Sequence, residues 1–442
     1  MATPDVTSDQ PAVDAAEAPP PPRRRTRTVA FRLLAVAIAV VATLGAVEVA
    51  FRILGYQPLY EVYAKPDNFY VADAVVGWSY GPGARGEYVG PRPFPISFRS
   101  EVRINSLGLR GPELTAAPPG GLRVLVLGDS VTSGLEVAEN ETYSAVAAHL
   151  LSERLGVPVQ VVNAGVRGYG TDQEWLLYRE RLKQLHPDVV VDHTTGNDPE
   201  DNVTLHRMRR VFGKPAFVLG PDNTLHLIGQ PVPDYPRCSE YGVVDGIARR
   251  IDGTRARIIC WLQMNLANHS AFFSFVAERL QRNPGLVKVL LDLGSPSEAP
   301  AAIAPVPPAA PPSAQPPDAG AAVAPAPPSA LAAAPPAPSL ASTPLDYAHR
   351  LTSALMSRMA DDVRHDGARF ALMGQDVDLQ ALDVAAFEAQ GIPMIRTDPA
   401  FGPDTLIPND GHPNALGHRR IGELLADQIE PVLREVIASR GR

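Results

Sequence analysis

Short apolar runs and longer amphipathic stretches alternate along the second half of the chain. The runs are Arg123–Leu127, Val159–Asn163, Asp188–Asp192, Arg369–Met373 and Met394–Thr397. Helical periodicity fills the intervals at Thr142–Leu155, Asp172–Gln184, Asn268–Leu291 and Tyr347–Arg364, and again at Leu416–Ser439. Continuous apolar runs alternating with amphipathic helices predict strands buried on both faces, that is, a parallel sheet flanked by helices. The first three runs stop at polar or glycine-rich loops, and open α/β sheets bind ligands at the carboxyl ends of their strands.

A different pattern opens the chain. Arg23, Arg24, Arg25, Arg27 and Arg32 precede an uncharged apolar run from Leu33 to Val47. Extended from Val29 to Leu54, it would make a helix about 39 Å long, enough to cross a hydrocarbon core of roughly 30 Å. Glu48 and Arg52 stand four apart on one helical face and can pair near the far interface. The arginines lie on the N-terminal side alone, which puts that side in the cytoplasm and the rest of the chain outside, in the periplasm of a two-membrane cell. A cleaved signal peptide and a buried helix are the competing readings, although no convincing small-x-small cleavage site precedes Glu48.

The expected organisation is therefore a disordered cytoplasmic tail (1–28), a transmembrane helix (29–55), an N-terminal elaboration (56–120) and a main domain (121–442). Within the elaboration, Val76–Tyr80 and Ser97–Ile104 are candidate strands. Residues 203–264 show no period and are expected to form a lid-like insertion. Residues 295–344 are nearly all Pro, Ala and Ser, a composition that cannot bury a core. The two cysteines, Cys238 and Cys260, either pair in an oxidising compartment or stay unlinked thiols. A net charge of −8, with no basic stretch outside the N-terminus, argues against a nucleic-acid partner.

Four constellations carry candidate chemistry. Gly128-Asp129-Ser130 follows the first strand, where a serine hydroxyl can stand at the sheet edge beside helix N–H groups. Asn163-Ala-Gly-Val-Arg-Gly-Tyr-Gly-Thr171 follows the second, with glycines that let backbone approach a ligand. Thr195-Gly-Asn-Asp198 follows the third, where Asn197 is either an oxyanion donor or a helix cap. Asn409-Asp-Gly-His-Pro-Asn-Ala-Leu-Gly-His418 lies between the fifth strand and the last helix. There His412 can reach the site and Asp410 can fix its tautomer, while His418 falls inside the helix as a structural residue.

In the order Ser, Gly, Asn, His, these blocks resemble the GDSL/SGNH hydrolase family, in a membrane-anchored bacterial-type form. The resemblance covers about residues 100–200 and 346–436. It implies a flavodoxin-like three-layer sandwich with a parallel sheet (the SGNH hydrolase fold). It also implies Ser130 as nucleophile, His412 as base, and an oxyanion hole from Gly168 and Asn197 with the Ser130 N–H. No metal or organic cofactor is implied. Ile104-Asn-Ser-Leu-Gly-Leu-Arg-Gly-Pro-Glu113 and Val76-Gly-Trp78 look like segments of the same subgroup, with Asn105–Gly111 buttressing the first strand and a substrate contact by Arg110 as the lesser reading. Two positions depart from the family pattern. Its aspartate usually stands three residues before the histidine, where this chain has Asn409, so that either Asp410 or Asn409 orients the ring. Its third block usually begins with Gly, where this chain has Thr195. The expected function is hydrolysis, or transfer, of an acyl ester of a carbohydrate or lipid, with O-acetyl groups of envelope or secreted polysaccharide as one substrate. A non-catalytic carbohydrate-binding or polysaccharide-assembly factor is the alternative.

Overall fold

A computed structural model of the protein describes residues 23–56, 69–90, 98–115, 120–220, 222–244, 246–281, 344–380, 382–408 and 410–440. The tail before Arg23, Asn409 and all but the last residue of the Pro/Ala-rich stretch, two of them expected to be disordered, lie outside the described residues. The chain divides into two units, Met1–Gly55 and Tyr56–Arg442.

The first unit holds α1 (Arg23–Ile53). Its stretch Val29–Ile53 contains 18 consecutive residues with a mean hydropathy of 2.4 and is long and apolar enough to cross a membrane, a property that signal sequences share. Arg52 pairs with Glu48 at 2.7 Å, one turn apart. The helix begins at Arg23 rather than at Val29, since arginine is a good helix former and continues the backbone ladder.

In the second unit the five apolar runs are five parallel strands: β1 (Leu122–Gly128), β2 (Val159–Asn163), β3 (Val189–His193), β4 (Arg369–Gly374) and β5 (Met394–Arg396). They pair in the order β5-β4-β3-β1-β2, with Leu125 opposite both Val162 and Val190, and Phe370 opposite Val190. Successive side chains point to opposite faces. Val124 and Val126 therefore meet α3 (Tyr143–Leu155) and α8 (Ala415–Arg440) through Ala147, Leu151, Leu425 and Ile429. Leu125 and Leu127 meet α4 (Thr171–Leu177) and α7 (Pro344–His365) through Leu176, Leu355 and Met359. The result is the three-layer α/β sandwich of the SGNH fold, preceded by one apolar helix. Thr142 caps α3 by accepting from the Ala145 N–H, which is why the helix starts beside a polar residue.

Two antiparallel pairs precede the sheet, Tyr70–Asp73 with Gly77–Tyr80 and Arg85–Gly90 with Phe98–Arg103. Phe69, Val76 and Tyr80 bury into the same core face as α4 and α7. After β3, residues 203–264 are more regular than expected. Five strands of three or four residues, Thr204–His206, Ala216–Leu219, Leu225–Ile228, Tyr241–Val244 and Ile247–Arg250, form two small antiparallel sheets. Strands this short are too brief for an alternation to register in the sequence. α5 (Thr254–Leu262) and α6 (Ala271–Gln281) follow. Cys238 and Cys260 are joined in a disulfide.

Candidate active site

The first three blocks of the site sit where strands of the parallel sheet end, and the fourth lies on the loop between β5 and α8. β1 runs into Gly128, whose φ of +148° is a backbone state side chains avoid. A Cβ on Gly128 would also collide with Thr132. This turn ends the strand and starts the single-turn helix α2 (Ser130–Ser133). Asp129 caps it, its Oδ1 accepting from the Val131 N–H at 2.9 Å.

Ser130 Oγ lies 2.9 Å from His412 Nε2 across 282 positions of sequence. His412 Nδ1 bonds to Asp410 Oδ1, and the same oxygen accepts the His412 backbone N–H at 3.2 Å. A carboxylate on Nδ1 sets the tautomer with the proton there, leaving Nε2 as an acceptor facing the hydroxyl. Burial pushes the Asp410 carboxyl upward, but its hydrogen bonds and charge interaction with His412, helped by Arg167, hold it below the ordinary carboxylate value.

The second block is fastened to the first. Asn163 Nδ2 donates to the Thr132 carbonyl at 2.8 Å, and its Oδ1 accepts from the Gly165 N–H at 3.1 Å. A Cβ on Gly165 would collide with Ser133 N and Thr132, so only glycine lets this loop lie against α2. Gly168 follows two residues after Val166, whose N–H bonds back to the Gly128 carbonyl at 3.0 Å. Neither the Ser130 nor the Gly168 N–H has a hydrogen-bond partner among the described residues.

Asn197 stands at the start of a short helix, Asp198–Asn202, without capping it through its side chain. Its Nδ2 donates instead to Asp201 at 2.7 Å and to Asp129 Oδ2 at 3.2 Å. Ser130 Oγ lies 3.4 Å from that same Asp129 oxygen, so Asn197 reaches the serine through Asp129. Thr195 Oγ1, in the place of the family's glycine, lies 3.0 Å from both Asp129 Oδ2 and Asn197 Oδ1.

Glu136 carried no signal in the sequence, and Arg167, Trp78 and Arg110 stood in the sequence motifs without the roles they have here. Glu136 is buried, with Oε1 on the Arg167 guanidinium and 3.9 Å from His412 Nδ1. Glu136, Asp410 and His412 thus put three ligand-type atoms within 4.8 Å of one another, but the Arg167 guanidinium already supplies positive charge there. Arg167 itself is clamped by the N-terminal elaboration. Trp78 Nε1 donates to its carbonyl at 3.3 Å, and Tyr80 Oη accepts its N–H at 3.3 Å while bonding Ser133 Oγ at 2.6 Å. Arg110 is buried and donates to the carbonyls of Ser133, Gly134 and Val137. The segment around it therefore braces the turn after Ser130.

Beneath the site, Glu174 and Asp198 are buried and held well above the usual carboxylate range, by burial first and then by neighbouring carboxylates including Asp192 and Asp129. Asp192 is pushed up to about 6 for the same first reason. Burial also lowers His193 to about 4 and His418 to about 3, so both are neutral imidazoles. His418 lies stacked on Tyr143, with ring centroids 5.9 Å apart, in the helix core. A cavity of about 500 Å³ is lined by Val131 and Gly411, the chain neighbours of Ser130 and His412, with Phe401, Pro403 and Leu406 among its other apolar walls and Gln375 and Asp378 among its polar ones.

No curated protein matches the chain. Among solved structures, TesA is similar at 11% identity over 70% of this chain and 99% of its own, with a TM-score of 0.33. A GDSL-like lipase from Bacteroides thetaiotaomicron is similar at 11% identity over 72% and 93%, with a TM-score of 0.30. A variant of Axe2, an acetyl-xylooligosaccharide esterase from Geobacillus Stearmophilus, is similar at 13% identity over 72% and 96%, with a TM-score of 0.30. The sequence model of the GDSL-like Lipase/Acylhydrolase family matches residues 126–420, a span that contains all four blocks of the site and more than half of the chain, and the protein belongs to that family.

Proposed function

We propose that the protein is an ester hydrolase in which Ser130 is the nucleophile, His412 its general base and Asp410 the group that orients the imidazole. The observation that carries this reading is the continuous hydrogen-bonded line Ser130–His412–Asp410, with 2.9 Å between the hydroxyl and Nε2. His412 takes the hydroxyl proton as Oγ attacks the ester carbonyl, then returns it to the leaving alcohol. The Ser130 and Gly168 N–H groups receive the developing oxyanion. Asn197 joins them by releasing one N–H from Asp129 or Asp201. One such donor is worth ~3 kcal/mol of barrier. Water then frees the acyl group; a sugar hydroxyl attacking in its place would make the same site an acyltransferase.

We read α1 as a membrane span with its arginine-rich end in the cytoplasm, which places the hydrolase outside, in the periplasm of a two-membrane cell. The Cys238–Cys260 disulfide supports this reading, because such bonds persist in oxidising compartments. O-acetyl groups on envelope or secreted polysaccharide are the proposed substrate, with lipid esters next. Gln375 and Asp378 in the cavity wall offer hydrogen bonds to sugar hydroxyls, and Phe401 offers an apolar face. The test is Ser130→Ala. Turnover of a short-chain aryl ester should vanish while the thermal transition stays where it is, and unchanged turnover would reject the assignment. A non-catalytic binder or assembly factor on the same fold is the second reading, favoured by the engagement of both Asn197 amide protons with carboxylates. Labelling by a fluorophosphonate separates the two, since only an activated serine labels.

A further inference from the structure

The insertion after β3 presents an apolar face that the core leaves uncovered. α5 turns Cys260, 3% exposed, inward to its disulfide. On the other side of the same helix Trp261 is 58% exposed, Ile258 55%, Ile259 48% and Leu262 41%. Leu266, in the wide turn that continues the helix, is also exposed. A helix apolar on the side away from its own core is built to meet a second apolar phase.

Two observations identify that phase. Tyr56 is one peptide bond past Gly55, the end of the unit that holds the apolar helix. Its ring meets Phe275 of α6 edge-on at 5.3 Å. The chain from Ile53 to Tyr56 spans at most about 10 Å when fully extended. Phe275 thus packs against the first residue after the unit that holds the apolar helix. The second observation is charge. Val203–Gln281 contains ten Arg and Lys against six Asp and Glu, in a chain whose net charge is −8. Basic, tryptophan-bearing amphipathic helices settle in the interface of anionic bilayers, with the ring at headgroup level.

We propose that Trp261, Ile258, Ile259 and Leu262 dock into the outer leaflet of the bilayer that α1 crosses, with anionic phospholipid as the occupant. This rests on the reading of α1 as a membrane span. Docking would hold the insertion flat on the membrane and fix the orientation of the hydrolase above it.

The experiment uses the full chain reconstituted into vesicles of phosphatidylethanolamine and phosphatidylglycerol, with or without acyl-brominated lipid. α1 contains no tryptophan, and Trp78 and Trp175 are half-buried and buried. The difference between wild type and Trp261→Phe therefore isolates the emission of Trp261. Brominated lipid should remove most of that component, and unbrominated vesicles should shift it to the blue. The variant should keep its aryl-esterase turnover and its flotation with vesicles. A chain that floats with its vesicles while Trp261 stays unquenched overturns the docking and leaves the anchor standing. A chain that neither floats nor quenches loses both. Trp261 emission that answers to protein-to-lipid ratio rather than to bromine would assign the face to a second copy and overturn the lipid assignment.

Discussion

Ser130 stands on a turn tied down from several directions by buried groups, whereas His412 stands on a surface loop tied mainly to itself. The serine turn is held by the Asp129 cap, by Asn163 on the Thr132 carbonyl, by Tyr80 on Ser133 and by Arg110 on the Ser133, Gly134 and Val137 carbonyls. The histidine loop closes on its own backbone, with Ile407 N–H bonded to the His412 carbonyl at 2.8 Å and Asn414 N–H to the Thr405 carbonyl at 2.8 Å. Asn414 then caps α8 through Oδ1, which accepts from Leu416 and Gly417. The contrast explains how an aspartate only two residues from the histidine can serve. Asp410 makes an Asx turn onto the His412 N–H, and the same carboxylate oxygen takes Nδ1 of the ring. On the proposed mechanism, the nucleophile needs a fixed backbone, while the base needs only a local carboxylate.

The sharpest way to break this contrast is at the loop. Asp410→Asn should lower kcat by about a thousandfold, near 4 kcal/mol of barrier, because the amide no longer enforces the tautomer. The thermal transition should hardly move, since Asp410 lies on the surface loop. Steady-state kinetics beside calorimetry checks both halves. On the serine side the balance should invert. Arg110→Ala removes a buried guanidinium from the Ser133, Gly134 and Val137 carbonyls, of which Val137 keeps Ser100 Oγ and Gly134 keeps the Val137 N–H, and should cost about 3 kcal/mol of stability, read as a lower denaturation midpoint. The smallest effect lies beneath the site. Glu174 has a folded pKa above its unfolded value, so between them the folded protein keeps a proton that the unfolded chain has lost. Its contribution to stability is intact below about pH 4.5 and falls as pH rises, by up to about 1.4 kcal/mol per pH unit. Glu174→Gln removes that loss. The variant should gain on wild type by about 1 kcal/mol or more between pH 5 and pH 8 in thermal melts, and parallel melting curves would mean that Glu174 is ionised in the fold.

How far the sequence discloses this arrangement follows the same division. The strands of the sheet are apolar on both faces, so Val159–Asn163 and Arg369–Met373 announce themselves. Ser130, Gly168, Asn197 and His412 were legible because each follows such a run. Glu136, Arg110 and Glu174 were not legible in these roles. They act through partners distant in sequence, and no spacing encodes a buried charge that meets carbonyls on another segment. Asn197 illustrates a further gap: its place after β3 could be read, but its engagement with Asp129 and Asp201 depends on two carboxylates whose positions only the fold determines. The small sheets of the insertion were hidden by strands too short to show a period.

The register of the sheet has a consequence for how the molecule is made. β3 pairs with β1 on one side and, on the other, with β4, where Val189 faces Arg369. A nascent chain that has emerged only as far as the insertion therefore carries a central strand with one edge bare, because its neighbour is still to be synthesised. Pairings between such distant segments form slowly, and an unsatisfied strand edge invites foreign strands. Biogenesis of this protein should thus depend on protecting the β3 edge until the last quarter of the chain arrives.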